Sequence, residues 1–355
     1  VETYFIEISK SDLKKLYKNI WTEHYFFAQL TINSQSYDIQ ISLRGNQLRK
    51  HKKKSYHIIF EHPHLMDGHH EIHLNAEFND PSLIRNKLSF DFFQKIGVLS
   101  PNSNHIQLFI NGKSEGVYLA IESFDEYFLK KRNLPDGSIY YATNDDANFS
   151  LYTPEGYIKK SLMDGYTTKY SFQEEEHLIK MLVIINTYPK DKFNEEIVKV
   201  LDIEKYLLWL AGAVCTQNFD GFIHNYALYH NSETQLFEIS PWDYDGSWGR
   251  NLHGEPLELE YVPIWGYNTL TARILENEHF KQKYRRILES ILHKQFIPSA
   301  IKPQIEQLQA LILPYIEKDP YIKHNEKIFM SEKEYILQFI EKRNQFLSDQ
   351  LESLL

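Results

Sequence analysis

Two short segments carry residues whose types and spacing suit one piece of chemistry. Residues 218–230 read NFDGFIHNYALYH, with Asp220 followed five positions later by Asn225. Residues 241–249 read PWDYDGSWG, with Asp243 and Asp245 in alternation ahead of Gly246. Carboxylates and an amide carbonyl are hard oxygen donors. They suit Mg²⁺ or Mn²⁺, and Mg²⁺ is usually held by one or two carboxylates together with substrate phosphates. Carboxylates this close need a cation, or one of them must keep a proton. For the donors to meet, the chain between them has to double back. YALYHNSETQLFEIS (226–240) does so: two short alternating runs flank the turn-rich NSET, which is a β-hairpin pattern. Pairing of 226–230 with 235–239 brings Asp220, Asn225, Asp243 and Asp245 to one end of the hairpin.

The elements around this hairpin fall into two groups. FAQLTI, NSQS and YDIQISLRG read as a hairpin, and SYHIIF (55–60) and HEIHLNAEF (70–78) as further strands. DPSLIRNKLSFDFFQKIG (80–97) reads as a helix with Asp80 as N-cap, Pro81 at its first position and Gly97 at its end. HIQLFINGKSEGVYLAIES (105–123) holds two strands around Asn-Gly. This first part therefore predicts a small, mostly antiparallel sheet with one helix. From Phe124 on, helical patterns take over: 124–132, 171–200, 202–217 with Asp202 as cap, and most of 277–355. Residues 272–292 read as one amphipathic core helix. The fold class is α+β, with a β-rich lobe over 1–124, a mostly helical lobe over 125–355, and a ligand cleft between them.

Composition narrows the function classes. The 24 Tyr and 22 Phe mark an ordered globular chain. A net charge of −9 argues against nucleic acid as partner. No apolar run reaches the ~18 residues of a membrane span, so no membrane association is expected. The chain starts at Val1, which reads as a trimmed or processed end, and no signal peptide is visible. The single Cys215 leaves no internal disulfide. The histidine-rich stretch HIIFEHPHLMDGHHEIHL (57–74) invites a metal reading, but it straddles an inter-strand loop and lacks zinc-site spacing, so a solvent-exposed turn is expected. The basic run RKHKKK reads as a solvated loop in which one lysine matters. Trp242 and Trp248 read as packing around the acidic loop.

An Asp, an Asn five residues on, a β-hairpin and then an Asp near a Gly is the order of protein kinases. The stretches here are NFD and WDYDG rather than HRD and DFG, and no G-x-G-x-x-G loop precedes them. LRGNQLRKHKKKSYHIIF (43–60), DPSLIRNKLSFDFF (80–93), INGKSEGVYLAIESFD (110–125), NFDGFIHNYALYH and ISPWDYDGSWG (239–249) together resemble the spore coat protein H (CotH) kinase family, atypical kinases of spore-forming bacteria. The resemblance implies a two-lobed, kinase-like fold with a catalytic hairpin, ATP as phosphate donor, and Mg²⁺ or Mn²⁺. It implies phosphorylation of Ser-containing spore coat proteins during coat assembly, in the spore coat or mother-cell cytoplasm, by a monomer.

By the same resemblance Asp220 is the catalytic aspartate, Asp243 the metal-binding aspartate and Asn225 the second metal position. Asp245 is either a further ligand or support for the turn at Gly246. Lys54, in preference to Lys53 and Lys52, is expected to contact the phosphates, with Arg44 beside it. The helix in the αC position carries Arg85 but no Glu, leaving Glu77 just upstream as a substitute partner for the lysine. Backbone groups of Glu122, Ser123 and Phe124 are expected to face adenine. Two rivals stand beside this: a catalytically inactive kinase-like scaffold of the coat that binds nucleotide or partners, and a nucleotide-sugar transferase using the D-x-D at 243–245.

Overall fold

The computed structural model describes residues 1–45, 47–61, 68–173, 176–322 and 325–355. Its first part comprises β1 (Glu2–Ile8), α1 (Lys10–Lys18), β2 (Phe26–Ile32), β3 (Gln35–Arg44), β4 (Ser55–Phe60), β5 (Glu71–Asn75), α2 (Arg85–Lys95), β6 (Ser103–Ile110) and β7 (Lys113–Glu122). The strands close into a barrel in the order β1-β2-β3-β4-β5-β7-β6. Closure comes from β1, which runs antiparallel to β2 and parallel to β6, with Tyr4 opposite Leu108. The expected mostly antiparallel sheet is present, but it closes into a barrel and carries two helices, α1 and α2, where one was expected. Closure leaves no unpaired edge. The alternating residues Leu30, Ile39, Ile58, Leu74 and Ile106 fill the interior.

The hairpin turns were legible where the backbone demands them. Asn33 and Ser34 join β2 to β3 at φ 49° and 66°, and Asn111 and Gly112 join β6 to β7 at 48° and 75°. Two central residues with positive φ are the signature of a tight hairpin turn. The helix expected over 80–97 starts later, at Arg85. Asp80 does not cap it. Its carboxylate instead accepts the N–H groups of Ser82 and Arg85, both at 2.9 Å, and holds a turn ahead of the helix.

The remainder comprises α3 (Glu126–Lys131), β8 (Ile139–Ala142), β9 (Tyr166–Tyr170), α4 (His177–Thr187), α5 (Lys190–Ile197), α6 (Ile203–Thr216), β10 (Tyr226–Asn231), β11 (Leu236–Pro241), α7 (Thr269–Leu275), α8 (Glu278–Lys294), α9 (Pro298–Ile316) and α10 (Glu326–Asp349). The expected single helix over 272–292 is two helices, because Asn277 accepts the N–H groups of His279 and Phe280 and starts a new one. α6 is buried nearly all round, with Trp209, Leu210 and Val214 inside the large core. It is capped as expected by Asp202, which accepts the Lys205 N–H at 3.1 Å. Among the described residues no helix is long and apolar enough to cross a membrane.

β10 and β11 form the expected hairpin and belong to a sheet of order β11-β10-β8-β9. The register pairs Tyr226 with Pro241 and Asn231 with Leu236, two residues from the 226–230 with 235–239 expectation. Asn231 causes the shift: its carboxamide accepts the N–H groups of Glu233 and Thr234, so the loop begins one residue later than the alternation suggests. A two-residue slip keeps every side chain on its face. β8 and β9 are short and were not expected.

At the junction of the two parts Asp125 caps α3 and accepts the N–H groups of Tyr127 and Phe128 at 2.9 and 3.0 Å. Burial raises its carboxyl from 3.8 to about 7, with Glu71 and Glu122 adding repulsion against the two N–H donors. The folded chain therefore holds this proton more tightly than the unfolded chain. The stability it contributes is complete below pH 3.8 and is lost as pH rises through about 7. Asp125→Asn keeps an acceptor for the helix but cannot ionise. Its stability relative to wild type is expected to rise between pH about 4 and about 7, read from urea midpoints.

Candidate active site

A cleft of ≈ 1120 Å³ opens beside the barrel, and Arg44, Asp220, Asn225, Asp243 and Asp245 all line it. The hairpin brings the last four together. One step beyond the Tyr226–Pro241 pair, the Trp242 N–H donates to the Asn225 carbonyl at 3.0 Å. Asn225 and Asp243 both take φ 56°, a left-handed conformation that Asn and Asp tolerate better than other side chains. That geometry turns the chain sharply at both hairpin ends. The Asn225 amide then donates to the Asp243 carbonyl at 3.3 Å.

Asparagines that the sequence reading passed over hold the loops in register. Asn218 accepts the Gly221 N–H at 2.6 Å and donates to the Gly246 carbonyl at 3.0 Å, tying the Asp220 turn to the Asp245 turn. Gly221 must be glycine, because a Cβ there would meet the Tyr244 hydroxyl at 2.6 Å. Asn86 on α2 accepts the Tyr244 N–H at 3.0 Å. Asn75 at the end of β5 approaches Asp243 Oδ1 at 3.4 Å and accepts from Arg44 Nη1. The signal for Asn218 was its place in NFD, directly after the helix. Asn75 and Asn86 gave no local signal, since their partners lie far away in sequence.

The cluster is electrostatically overloaded. Burial pushes the Asp245 carboxyl well up, and Asp243, Glu77 and Asp80 push it further, against one Gly246 N–H donor. Burial raises Glu77 to about 8, with Asp80 and Asp243 adding to the shift and Asn86 and Asn75 opposing it. Glu77 Oε2 is buried without a partner. Asp220 is also raised, first by burial, with His224 opposing and Asp145 and Asp243 adding. His224 Nδ1 lies 2.9 Å from Asp145 Oδ1 at the cleft wall. Asp145 and Asp146 were missed, although the acidic pair in TNDDAN was there to read.

Other expected residues lie elsewhere. The Lys54 ammonium donates to the Arg49 carbonyl at 2.5 Å and does not line the cleft. Its neighbour Lys53 points inward, fully buried, and pairs with Asp319 at 3.0 Å. Asp319, just beyond α9, therefore takes the partner role considered for Glu77, which instead accepts from Asn86 at 3.2 Å. The Glu122 N–H is taken by the Asn102 carbonyl and its carboxylate by Arg132. The Phe124 N–H points at the Tyr141 hydroxyl. Neither amide is free to face a base, and neither residue is among those lining the cleft. The aromatic wall of the cleft is made by Tyr141 and Trp242, with ring centroids 5.1 Å apart, and Arg44 lies 5.4 Å over the Trp242 ring. Trp242 packs beside the acidic loop as expected, in a buried cluster with Phe90 and Phe124, and also lines the cleft.

The family model described as CotH kinase protein matches residues 41–347. The chain belongs to the CotH kinase family. It is 48% identical over 353 residues to inner spore coat protein H of Bacillus subtilis (strain 168), covering 99% of this chain and 98% of that protein. It is 29% identical over 303 residues to the inner spore coat protein H-like protein of the same strain, covering 85% and 87%. Among solved structures it aligns with the proinflammatory kinase CtkA of Helicobacter pylori at TM-score 0.33 and 9% identity, covering 94% of this chain and 92% of that one. Every cleft residue named above falls inside the CotH match, whereas β1, which closes the barrel, precedes it.

Proposed function

We propose that the chain is an ATP-dependent protein kinase that transfers the γ-phosphate to serine hydroxyls of spore coat proteins. The observation that carries this reading is the convergence of Asp220, Asn225, Asp243 and Asp245 with Arg44 in one cleft of ≈ 1120 Å³. That space is large enough for a nucleotide and an acceptor side chain together. Phosphoryl transfer depends on positioning and charge neutralisation more than on covalent chemistry.

The donor set fits Mg²⁺ or Mn²⁺, which take hard oxygen ligands: Asn225, Asp243 and Asp245 would hold it, near a Glu77 carboxylate oxygen that is buried without a partner. When bound, such an ion neutralises charge on the phosphate oxygens. Asp220 orients the acceptor hydroxyl and takes its proton. Its raised carboxyl brings it closer to the working pH of a general base. Arg44 grips phosphate oxygens with its planar fork of donors. Tyr141 and Trp242 offer π faces to the purine. In this reading the barrel serves as nucleotide lobe and residues 125–355 as acceptor lobe. The relatives are named as inner spore coat proteins, which supports a spore-coat setting, and the other coat proteins as substrates belong to the proposal.

Incubation with γ-labelled ATP, Mg²⁺ or Mn²⁺ and a serine-rich acceptor is expected to place label on serine. Label that stays on ATP despite metal-dependent nucleotide binding would favour the scaffold. A sugar moved from a nucleotide donor would favour the D-x-D transferase.

A further inference from the structure

The histidine-rich stretch is not simply a surface turn. Residues 62–67 lie outside the described residues, but His57 and His73 sit on β4 and β5 as a directly opposed pair. Their rings stack at 4.6 Å and 11°. Glu71 reaches the same point, with Oε2 2.9 Å from His57 Nε2. One donor atom from each of His57, Glu71 and His73 lies within 4.8 Å of the others. His73 is 6% exposed, and its Nδ1 is buried with no partner.

We propose that His57, Glu71 and His73 form a site for a divalent transition metal of the Zn²⁺ kind on the barrel wall. It is independent of the kinase reading and separate from the oxygen cluster in the cleft. Two imidazoles and one carboxylate suit Zn²⁺ and leave a fourth position open, whereas Mg²⁺ prefers oxygen alone. The surrounding groups match the outer shell of such sites. Tyr25 Oη lies 2.6 Å from His57 Nδ1 and can accept a hydrogen bond from Nδ1–H, the tautomer that leaves the Nε2 lone pair for a metal. Ser123 Oγ bonds His73 Nε2 at 3.1 Å and Glu71 Oε2 at 3.2 Å, tying two of the three ligands together. The Lys169 ammonium sits 2.9 Å from Glu71 Oε2 and is the cation a metal would displace. The site communicates with the cleft, since the His73 ring meets Trp242 edge-on at 5.0 Å.

The test is a Co²⁺ titration of the metal-stripped chain in excess Mg²⁺, which saturates oxygen sites, followed by visible absorption of nitrogen-ligated Co²⁺. One equivalent is expected to bind and to be displaced by Zn²⁺. His73→Asn and Glu71→Gln are each expected to weaken binding by at least about 100-fold. Lys169→Ala, at the rim, removes the competing ammonium and is expected to tighten binding. It keeps the test valid where the buried substitutions impair folding, checked by circular dichroism. A wild-type chain that binds no Co²⁺, binding that survives both ligand substitutions in folded protein, or an affinity unchanged in Lys169→Ala overturns the proposal.

Discussion

Asp220→Asn is expected to lower phosphoryl transfer by roughly 10²–10⁴-fold while nucleotide binding persists. The substitution keeps the shape of the side chain. It also keeps the backbone turn, in which the Asp220 carbonyl accepts the His224 and Ile223 N–H groups at 2.8 and 3.0 Å. What it removes is a group able to take a proton. In the proposed mechanism the metal donors Asn225, Asp243 and Asp245, and the phosphate contact Arg44, remain in place, so the Kd for ATP with Mg²⁺ or Mn²⁺ is expected to change little. At about 1.4 kcal/mol per tenfold, a thousandfold loss corresponds to ~4 kcal/mol of barrier. Single-turnover rates beside equilibrium nucleotide titrations separate the two effects. Equal losses in binding and rate would move Asp220 from proton acceptor to structural support.

Arg85→Met is expected to destabilise the fold by about 3–5 kcal/mol, the cost of leaving buried charges without their partner. Arg85 is fully buried at the start of α2 and bonds Asp80 at 2.6 Å and Glu332 of α10 at 2.7 Å. It also donates to the Ser247 carbonyl at 3.0 Å, two residues beyond Asp245. Burial alone would lower its pKa, but Asp80 and Glu332 outweigh burial and raise it. Met fills much of the volume but leaves Asp80 uncompensated, whereas Glu332 keeps Arg250 at 2.5 Å. The double variant with Asp80→Asn is therefore expected to recover part of the loss. Urea denaturation measures both. A cost near zero for Arg85→Met would mean that this network does not hold α2 and the acidic loop to α10.

The local parts of this account were legible because they rest on local physics. Alternation about NSET announced the hairpin, and the hairpin dictated that Asp220, Asn225, Asp243 and Asp245 converge. Asn-Gly at 111–112 announced another turn. What stayed hidden depends on partners far along the chain. β1 closes the barrel against β6 some hundred residues away, and a parallel pair leaves no turn to read. The choice between Lys53 and Lys54 depended on Asp319, 266 residues from Lys53. Both lysines lie in the stretch ahead of β4, where no alternation tells which one turns inward. Glu122 and Phe124 were assigned by analogy with a hinge, but their N–H groups were already taken by Asn102 and Tyr141. His57 and His73 were legible as strand residues, but what brings them together is the pairing of β4 with β5, which their spacing does not reveal.

The central claim is that the cluster at the hairpin's end holds the metal and nucleotide for transfer. A crystal of the chain grown with Mn²⁺ and a non-hydrolysable ATP analogue tests it most directly, through the anomalous signal of Mn²⁺. The expected result is a peak bounded by Asn225, Asp243 and Asp245, with the terminal phosphate facing Asp220 and the purine against Tyr141 and Trp242. A nucleotide bound elsewhere, or Mn²⁺ absent from these three donors in a nucleotide-bound chain, would contradict it.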